Sequence, residues 1–153
     1  MKAADLFHVG IVADDPQKKM QELTELFGYE WGDVMGGAQP VTLPSGDTVV
    51  ELLAWYSLNG PRLEIVQSVP GTIWVPAEGS GIHHLGYWAD DIEAESAKLE
   101  EQGYAVEAVG QLGDGKSYWA YHLSPEGPRI EIVSSQLRPM VEQYFETGTL
   151  PMP

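Results

Sequence analysis

The chain has 153 residues, of which 43% are hydrophobic and 20% charged, a balance typical of one globular domain rather than of a disordered segment. Its 23 acidic residues outnumber its 8 lysines and arginines and give a formal charge of −15, which argues against nucleic acid or an anionic membrane as a partner. The absence of cysteine excludes disulfides and thiolate metal ligands, and no run approaches the roughly 20 apolar residues of a membrane span, so we expect a cytoplasmic protein.

The first predicted element is a strand in the segment FHVGIVADD, residues 7–15. Its apolar residues Phe7, Val9 and Ile11 alternate with a second set that begins at His8, and this period of two is typical of a strand. The apolar set is predicted to pack under a helix, because a continuous apolar face must be covered. His8 is therefore expected on the opposite, concave face of the sheet.

A helix and two hairpins follow. Asp15 and Pro16 form a typical helix start, and Gly28 is a typical residue just past a helix end. Turn signals at 44–46 and 59–60 then divide residues 41–68 into three strands. Three apolar residues at helical spacing are predicted to form the buried face of the helix: Met20, Leu23 and Phe27.

The second half of the chain repeats the first. HHLGYWADD at 83–91 aligns with 7–15 at an offset of 76, and EGPRIEIVSS at 126–135 aligns with 59–68 at an offset of 67. Between these segments, Asp90–Asp91 and Gly103 mark the start and the end of a second helix. The paired positions are His8 with His84, Gly10 with Gly86, Arg62 with Arg129, and Glu64 with Glu131.

The repeat predicts two tandem βαβββ modules in a single α+β domain that spans residues 1–153. The modules cover about 4–69 and about 80–135. A C-terminal helix at about 136–147 follows, with Met140, Tyr144 and Phe145 expected on its buried side.

Alternation within the strands brings four chemically active side chains to the concave face. His84 is the counterpart of His8, so it is expected to point inward, which leaves His83 against the helix layer or at its rim. Glu64 and Glu131 each lie between two core aliphatic residues and are also expected to point inward. A buried carboxylate is costly unless it is paired or binds a metal. Two imidazoles and two carboxylates suit a borderline to hard divalent ion, namely Zn, Ni, Co, Fe or Mn.

This ordered set, with the repeat that carries it, resembles the vicinal oxygen chelate superfamily, which includes glyoxalase I, methylmalonyl-CoA epimerase, extradiol dioxygenases and bleomycin-resistance proteins. The resemblance runs from FHVGIV to PRIEIVSS and implies a U-shaped mixed sheet around one divalent ion held by His8, Glu64, His84 and Glu131. The set is most similar to that of glyoxalase I. The epimerase branch commonly has Gln where this chain has Glu64.

The resemblance implies a metal-dependent lyase, isomerase or epimerase that moves a proton next to a chelated carbonyl group of a small molecule. Glu131 is the first choice for the base and Glu64 the second. An Fe(II) extradiol-type dioxygenase and a non-catalytic binding or resistance protein stay open as alternatives. Members of the superfamily commonly form homodimers.

Four further residues are candidates for substrate binding. Arg62 and Arg129 share the inner face with the glutamates, where each would either bind a substrate anion or orient its neighbouring carboxylate. His122 lies on the penultimate strand, within possible reach of the site. Trp88 is the best candidate for a pocket wall among the aromatic residues that could line the concavity, which are Trp55, Trp74, Trp88, Trp119 and Tyr121.

Overall fold

The computed structural model describes residues 1–111 and 114–151. Within them the chain forms a mixed α+β fold with one strongly curved eight-stranded sheet and a short C-terminal helix, which confirms the predicted fold class. The elements are β1 (Leu6–Ala13), α1 (Pro16–Phe27), β2 (Met35–Leu43), β3 (Gly46–Tyr56), β4 (Leu63–Gln67), β5 (His84–Ala89), α2 (Ile92–Glu101), β6 (Ala105–Gln111), β7 (Ser117–Leu123), β8 (Arg129–Ser134) and α3 (Arg138–Thr147).

The sheet closes on itself within one chain. Its strand order is β1-β4-β3-β2-β6-β7-β8-β5, and β5 pairs with β1 to complete the ring. The pairs β1–β4 and β5–β8 are parallel, and the other pairs are antiparallel. The second seam between the halves is narrow, because within the described residues β2 pairs with β6 only at Val41 and Thr42. The interior of this barrel is the main core, and it is rich in aromatic residues.

Helices α1 and α2 cover two smaller cores on the outside of the sheet. The Asp15 carboxylate accepts a hydrogen bond from the backbone N–H of Lys18, and Gly28 ends α1 with a left-handed φ of 76°. Met20 of α1 is buried against the sheet as predicted, but Phe27 of the same helix is 70% exposed. Phe27 belongs to the last turn of the helix, where it borders a surface depression beside the β3–β4 turn instead of the sheet.

Helix α3 packs on the barrel rather than on the outer sheet surface. Tyr144 is fully buried and its hydroxyl donates to the carbonyl oxygen of Asp33, while Phe145 is partly buried against the same core. Val141 is buried, whereas Met140 stays 37% exposed at the edge of the interior. The buried side of α3 therefore passes through Val141 and Tyr144.

A bulge in β1 changes the direction of one predicted core residue. Leu6 pairs with Tyr87 and His8 pairs with Gly86, so Phe7 is the extra residue of the bulge. Phe7 stacks on Trp88 with a centroid distance of 3.8 Å and packs against the main core. The prediction that Phe7 lies under a helix is thus wrong, because the bulge interrupts the strict alternation on which it rested.

Candidate metal centre

Four side chains from the two halves of the chain converge in the barrel interior. His8, Glu64, His84 and Glu131 are all buried, and each offers one ligand atom within 4.8 Å of the other three. The Nε2 atoms of the two histidines are 3.0 Å apart. Each Nε2 is also 2.9 to 3.2 Å from one oxygen of each carboxylate. The structure therefore brings together the four residues that the repeat singles out.

The pairing of β1 with β5 explains why a glycine follows each of these histidines by two positions. In this antiparallel pair His8 lies opposite Gly86, and Gly10 lies opposite His84. A Cβ atom on Gly10 would be 1.9 Å from Cε1 of His84, and one on Gly86 would be 2.0 Å from Cε1 of His8. Each imidazole thus lies over a glycine of the other half, and only glycine leaves room for it.

The parallel pairs add the glutamates to the same two rows. Gly10 of β1 lies beside Glu64 of β4, and Gly86 of β5 lies beside Glu131 of β8. One row across the sheet therefore reads Glu64, Gly10, His84, and the other reads His8, Gly86, Glu131. The pairing register of four adjacent strands, β4, β1, β5 and β8, therefore brings the four side chains together.

The spacing and charge of the cluster suit a divalent ion. Ligand atoms about 2.1 Å from a shared ion are about 3.0 Å apart in octahedral and about 3.4 Å apart in tetrahedral geometry, and the Nε2 atoms and carboxylate oxygens lie 2.9 to 3.2 Å apart. Among the described residues, Oε2 of Glu131 finds no donor of good hydrogen-bond geometry, although it is buried and lies 3.0 Å from Nε2 of His8. A buried oxygen without a donor is expensive, and a cation would satisfy it.

The ionisation of the cluster follows from mutual attraction. Burial alone would lower the pKa of His8, but the carboxylates of Glu64 and Glu131 outweigh burial and raise this pKa to about 9. The same carboxylates raise the pKa of His84. Burial would raise the pKa of both carboxyl groups, yet the two histidines hold it below the usual value. Both glutamates are therefore ionised and ready to bind a cation.

A cavity of about 250 Å³ opens above the two glutamates. Apolar residues of α3 and the segment after it, among them Val141 and Leu150, contribute to its lining. Among the described residues, no lysine, arginine or histidine lines this cavity. Its aromatic walls are formed by Tyr56, Trp74, Trp119 and Tyr121.

Two of these aromatic residues repeat the symmetry of the site. Tyr56 pairs with Glu64 across β3 and β4, and Tyr121 pairs with Glu131 across β7 and β8. Burial, together with the two carboxylates, raises the pKa of both phenols well above 10, so both hydroxyl groups keep their protons. The sequence analysis missed Tyr56 and included Trp55 among the residues that could line the concavity, but Trp55 packs near α1. The alternation of β3 through Leu52 and Ala54 would have pointed to Tyr56.

His83 does not lie against the helix layer, contrary to the prediction. It is 2% exposed, and its Nδ1 is 2.9 Å from Nδ1 of His84. Its Nε2 is 2.8 Å from the carbonyl oxygen of Ile73. Strand β5 begins at His84, so the alternation of that strand does not extend back to His83.

The predicted substrate-binding residues lie away from the cavity lining. Trp88 and Arg62 border a separate depression of about 600 Å³ between β1 and α3, where the Arg62 guanidinium lies 4.3 Å from the ring centre of Phe145. Trp88 points inward as predicted, but Phe7 covers its face. Arg129 forms a two-bond ion pair with Glu107, not with Glu131.

His122 also points away from the site, which corrects the prediction that it reaches the substrate. Its Nε2 is 2.7 Å from Oγ of Ser96 on α2, so it belongs to the outer layer. Because Tyr121 faces the cavity, alternation along β7 directs the next side chain outward. The alternation of Tyr121 and His122 along this strand was already visible in the sequence.

Comparison with known proteins places the chain in a family. A family model described as the glyoxalase/bleomycin resistance protein/dioxygenase superfamily matches residues 7–134. No curated protein sequence gives a significant match to the chain. None of the described helices is long and apolar enough to cross a membrane.

Several solved structures with a similar fold are methylmalonyl-CoA epimerases. A variant of the Streptomyces coelicolor enzyme in complex with 2-nitronate-propionyl-CoA is 17% identical, with 85% of this chain and 93% of that chain covered and a TM-score of 0.56. The Mycobacterium tuberculosis epimerase is 18% identical, with 88% and 92% covered and a TM-score of 0.53. An epimerase bound to methylmalonyl-CoA and NH4+ is 16% identical, with 85% and 93% covered and a TM-score of 0.54. At these identities the likeness shows a shared fold.

Proposed function

The chain belongs to the glyoxalase/bleomycin resistance protein/dioxygenase superfamily, and from this membership and the buried His–Glu cluster we propose that it is a divalent-metal-dependent isomerase, epimerase or lyase. The reaction would move a proton next to the carbonyl group of a small substrate. The observation that carries the proposal is the convergence of His8, Glu64, His84 and Glu131 beneath a cavity that both glutamates line.

All four residues of the cluster would hold the metal ion, and one of the two glutamates would also act as the base. A divalent ion held by them would polarise a substrate carbonyl and acidify the neighbouring C–H bond. Glu131 is the preferred base and Glu64 the second, since both carboxylates line the cavity and both are ionised. A carboxylate at the cavity floor can accept a proton from a substrate above it.

Tyr56 and Tyr121 supply the hydrogen-bond donors of the cavity. Because their raised pKa values keep both phenols protonated, their hydroxyl groups can donate to substrate oxygens where negative charge develops. These two residues flank the cluster from opposite sides, Tyr56 next to the ring of His8 and Tyr121 next to that of His84.

The cavity restricts the part of the substrate that enters it. A volume of about 250 Å³ with aromatic walls fits a compact group, and its described lining offers no cationic side chain to a phosphate. The similar epimerases bind CoA esters. If this chain also acts on a CoA thioester, the acyl group enters the cavity and the nucleotide stays outside.

Hydrogen exchange at the substrate tests this proposal directly. The protein, loaded in turn with Zn, Ni, Co, Mn or Fe(II), is incubated in D2O with methylmalonyl-CoA or with the hemithioacetal of methylglyoxal and glutathione, and loss of the C–H signal is followed by proton NMR. We expect exchange with at least one of these compounds, and we expect Glu131→Gln to abolish it.

The matched control is Glu107→Gln, since Glu107 is a strand glutamate that pairs with Arg129 outside the cluster. This variant should retain exchange. Absence of exchange in every metal-loaded sample would contradict the proposal. Oxygen consumption with a catechol by the Fe(II) form would favour the ring-cleaving alternative instead.

A further inference from the structure

His83 is a buried histidine next to the candidate metal centre with no part in the chemistry described so far. It lies immediately before β5, and its backbone N–H donates to the carbonyl oxygen of Gly10. Both ring nitrogens have a close polar partner, Nδ1 at His84 and Nε2 at Ile73. Both contacts are below 3 Å, which is the range of good hydrogen bonds.

The direction of these two hydrogen bonds follows from the chemistry of the partners. A carbonyl oxygen only accepts, so Nε2 of His83 donates its proton to Ile73. In the neutral ring this leaves Nδ1 of His83 as an acceptor, and Nδ1 of His84 must then carry the proton that it receives. The remaining nitrogen of His84, Nε2, faces the cluster, and its lone pair would bind a metal once the proton that it shares with the carboxylates has left.

We infer that His83 is a positioning residue that fixes His84 in the tautomer and ring orientation needed to bind a metal through Nε2. The inference rests on the proposed metal centre and adds to it a residue outside the four-ligand set. Histidine ligands commonly donate their second N–H to such a partner, which orients the ring and makes the ligand nitrogen more basic.

The two halves of the site differ in this respect. His8 is the counterpart of His84 in the repeat, but its Nδ1 is buried without a hydrogen-bond partner among the described residues. Its ring is held by edge-to-face packing against Phe7 and Tyr56. His83 therefore breaks the symmetry of the repeat and makes His84 the more firmly oriented of the two imidazoles.

The contact with Ile73 extends this role to the cavity wall. Ile73 and Trp74 belong to a tight turn in which the backbone N–H of Val69 donates to the carbonyl oxygen of Trp74. Trp74 lines the cavity and is 1% exposed. His83 thus joins a metal ligand to the segment that carries one wall of the cavity.

The test compares two variants of His83. His83→Asn keeps an acceptor near the position of Nδ1, whereas His83→Leu keeps the bulk and removes the acceptor. We expect His83→Leu to weaken zinc binding by about 10- to 100-fold, and His83→Asn to stay within about threefold of the wild type, because loss of such a partner typically costs this much affinity. Zinc affinity is measured by competition with a chromophoric chelator.

A second readout separates positioning from general damage. In the Co(II)-loaded protein the Nδ1–H proton of His84 should give a shifted NMR signal that exchanges slowly with water in the wild type and in His83→Asn, and rapidly in His83→Leu. The control is His122→Leu, which removes another buried histidine, one bound to Ser96 outside the barrel. It should lower the melting temperature without changing zinc affinity.

The outcomes discriminate between the inference and the function on which it rests. A folded His83→Leu variant with the zinc affinity and the proton exchange of the wild type would overturn the role of His83 alone. A wild-type protein that binds no metal would overturn both. If His83→Leu does not fold, His83→Gln replaces it, because its longer amide reaches toward Ile73 and leaves Nδ1 of His84 without an acceptor, so the same loss of affinity is expected.

Discussion

Single glycines determine whether the four ligands can meet. The imidazole of His84 lies over Gly10 and that of His8 lies over Gly86, with no space for a side chain at either position. The spacing H-x-G, which both halves share, therefore encodes a contact between the halves and not a feature of one strand. The repeat in the sequence reveals the paired glycines, but only the strand register shows what lies over them.

Gly10→Ala should displace His84 and Gly86→Ala should displace His8, because the new Cβ would overlap the ring. Either substitution is expected to weaken metal binding by about 10- to 100-fold, the scale of losing one ligand's orientation. The comparison is Val9→Ala, which changes the same strand on its outer face and should reduce stability without reducing metal affinity. Zinc titration of the three variants decides the point, and an unchanged affinity in Gly10→Ala would be incompatible with the observed ring position.

Protons compete with the metal at the same atoms. His8 faces Glu64, Glu131 and His84, and its pKa of about 9 means that the metal-free ring holds a proton at neutral pH. Metal binding must release that proton, so apparent affinity should rise about tenfold per pH unit or more between pH 6.5 and 9. Calorimetry at pH 7 in two buffers of different ionisation enthalpy would measure the release. A metal affinity that does not change from pH 6.5 to 8.5 would contradict the predicted release of a proton from His8.

The same proton has the opposite effect on the metal-free fold. Because the pKa of His8 is raised on folding, the stabilisation is fully present below pH 6.5 and is lost as pH rises through about 9. The metal-free protein should therefore lose stability over the pH range in which metal affinity grows.

At the residue scale, the sequence was most informative where the repeat supported it. His8, Glu64, His84 and Glu131 do converge, because a duplicated module reports the same position twice. Arg129 was harder, since its partner Glu107 lies at a β6 irregularity between Val106 and Ala108 that no local pattern predicts.

At the scale of elements, the two outer helices are matched parts. Each begins at an aspartate whose carboxylate accepts from a backbone N–H in the first turn, Asp15 for α1 and Asp91 for α2. Each helix follows a strand that supplies one candidate metal ligand, His8 of β1 or His84 of β5, but neither capping aspartate belongs to the cluster. The two helix starts could be predicted from the sequence, because an aspartate before a helix is a local signal.

Asp15→Ala and Asp91→Ala should each lower the free energy of unfolding by about 1 kcal/mol, the usual cost of losing an N-cap. Both variants should retain the metal affinity of the wild type, since neither carboxylate belongs to the cluster. Urea unfolding of the metal-free proteins measures the first effect and zinc titration the second. Loss of metal binding in Asp15→Ala would mean that α1 does more than cover the sheet.

Element boundaries and irregularities were the least predictable features. In β1, alternation predicts the direction of each side chain except at the bulge, where Phe7 points toward Trp88. In β5 it holds from His84 onward, but it does not apply to His83, which precedes the strand. A period of two describes a regular strand, whereas bulges and strand ends are decided by packing between elements that are distant in sequence. His83 was missed for that reason.

At the scale of the whole molecule, the candidate metal centre lies between the two halves of the chain. Glu64 and His8 come from strands of the first half, and His84 and Glu131 come from strands of the second, so one ion would cross-link β4, β1, β5 and β8. The halves also meet through β1–β5 pairing, while the β2–β6 seam is short. The repeat predicted the pairing of modules, but it did not show that the ring closes within one chain.

The central claim is that these four residues hold one divalent ion, and elemental analysis of the purified protein tests it most directly. The account predicts close to one equivalent of a divalent metal per chain in the wild type, either as purified or after exposure to Zn, Ni, Co, Mn or Fe(II), and a large loss in His84→Ala. A wild-type protein that contains no metal and takes up none, indistinguishable from His84→Ala, would contradict it.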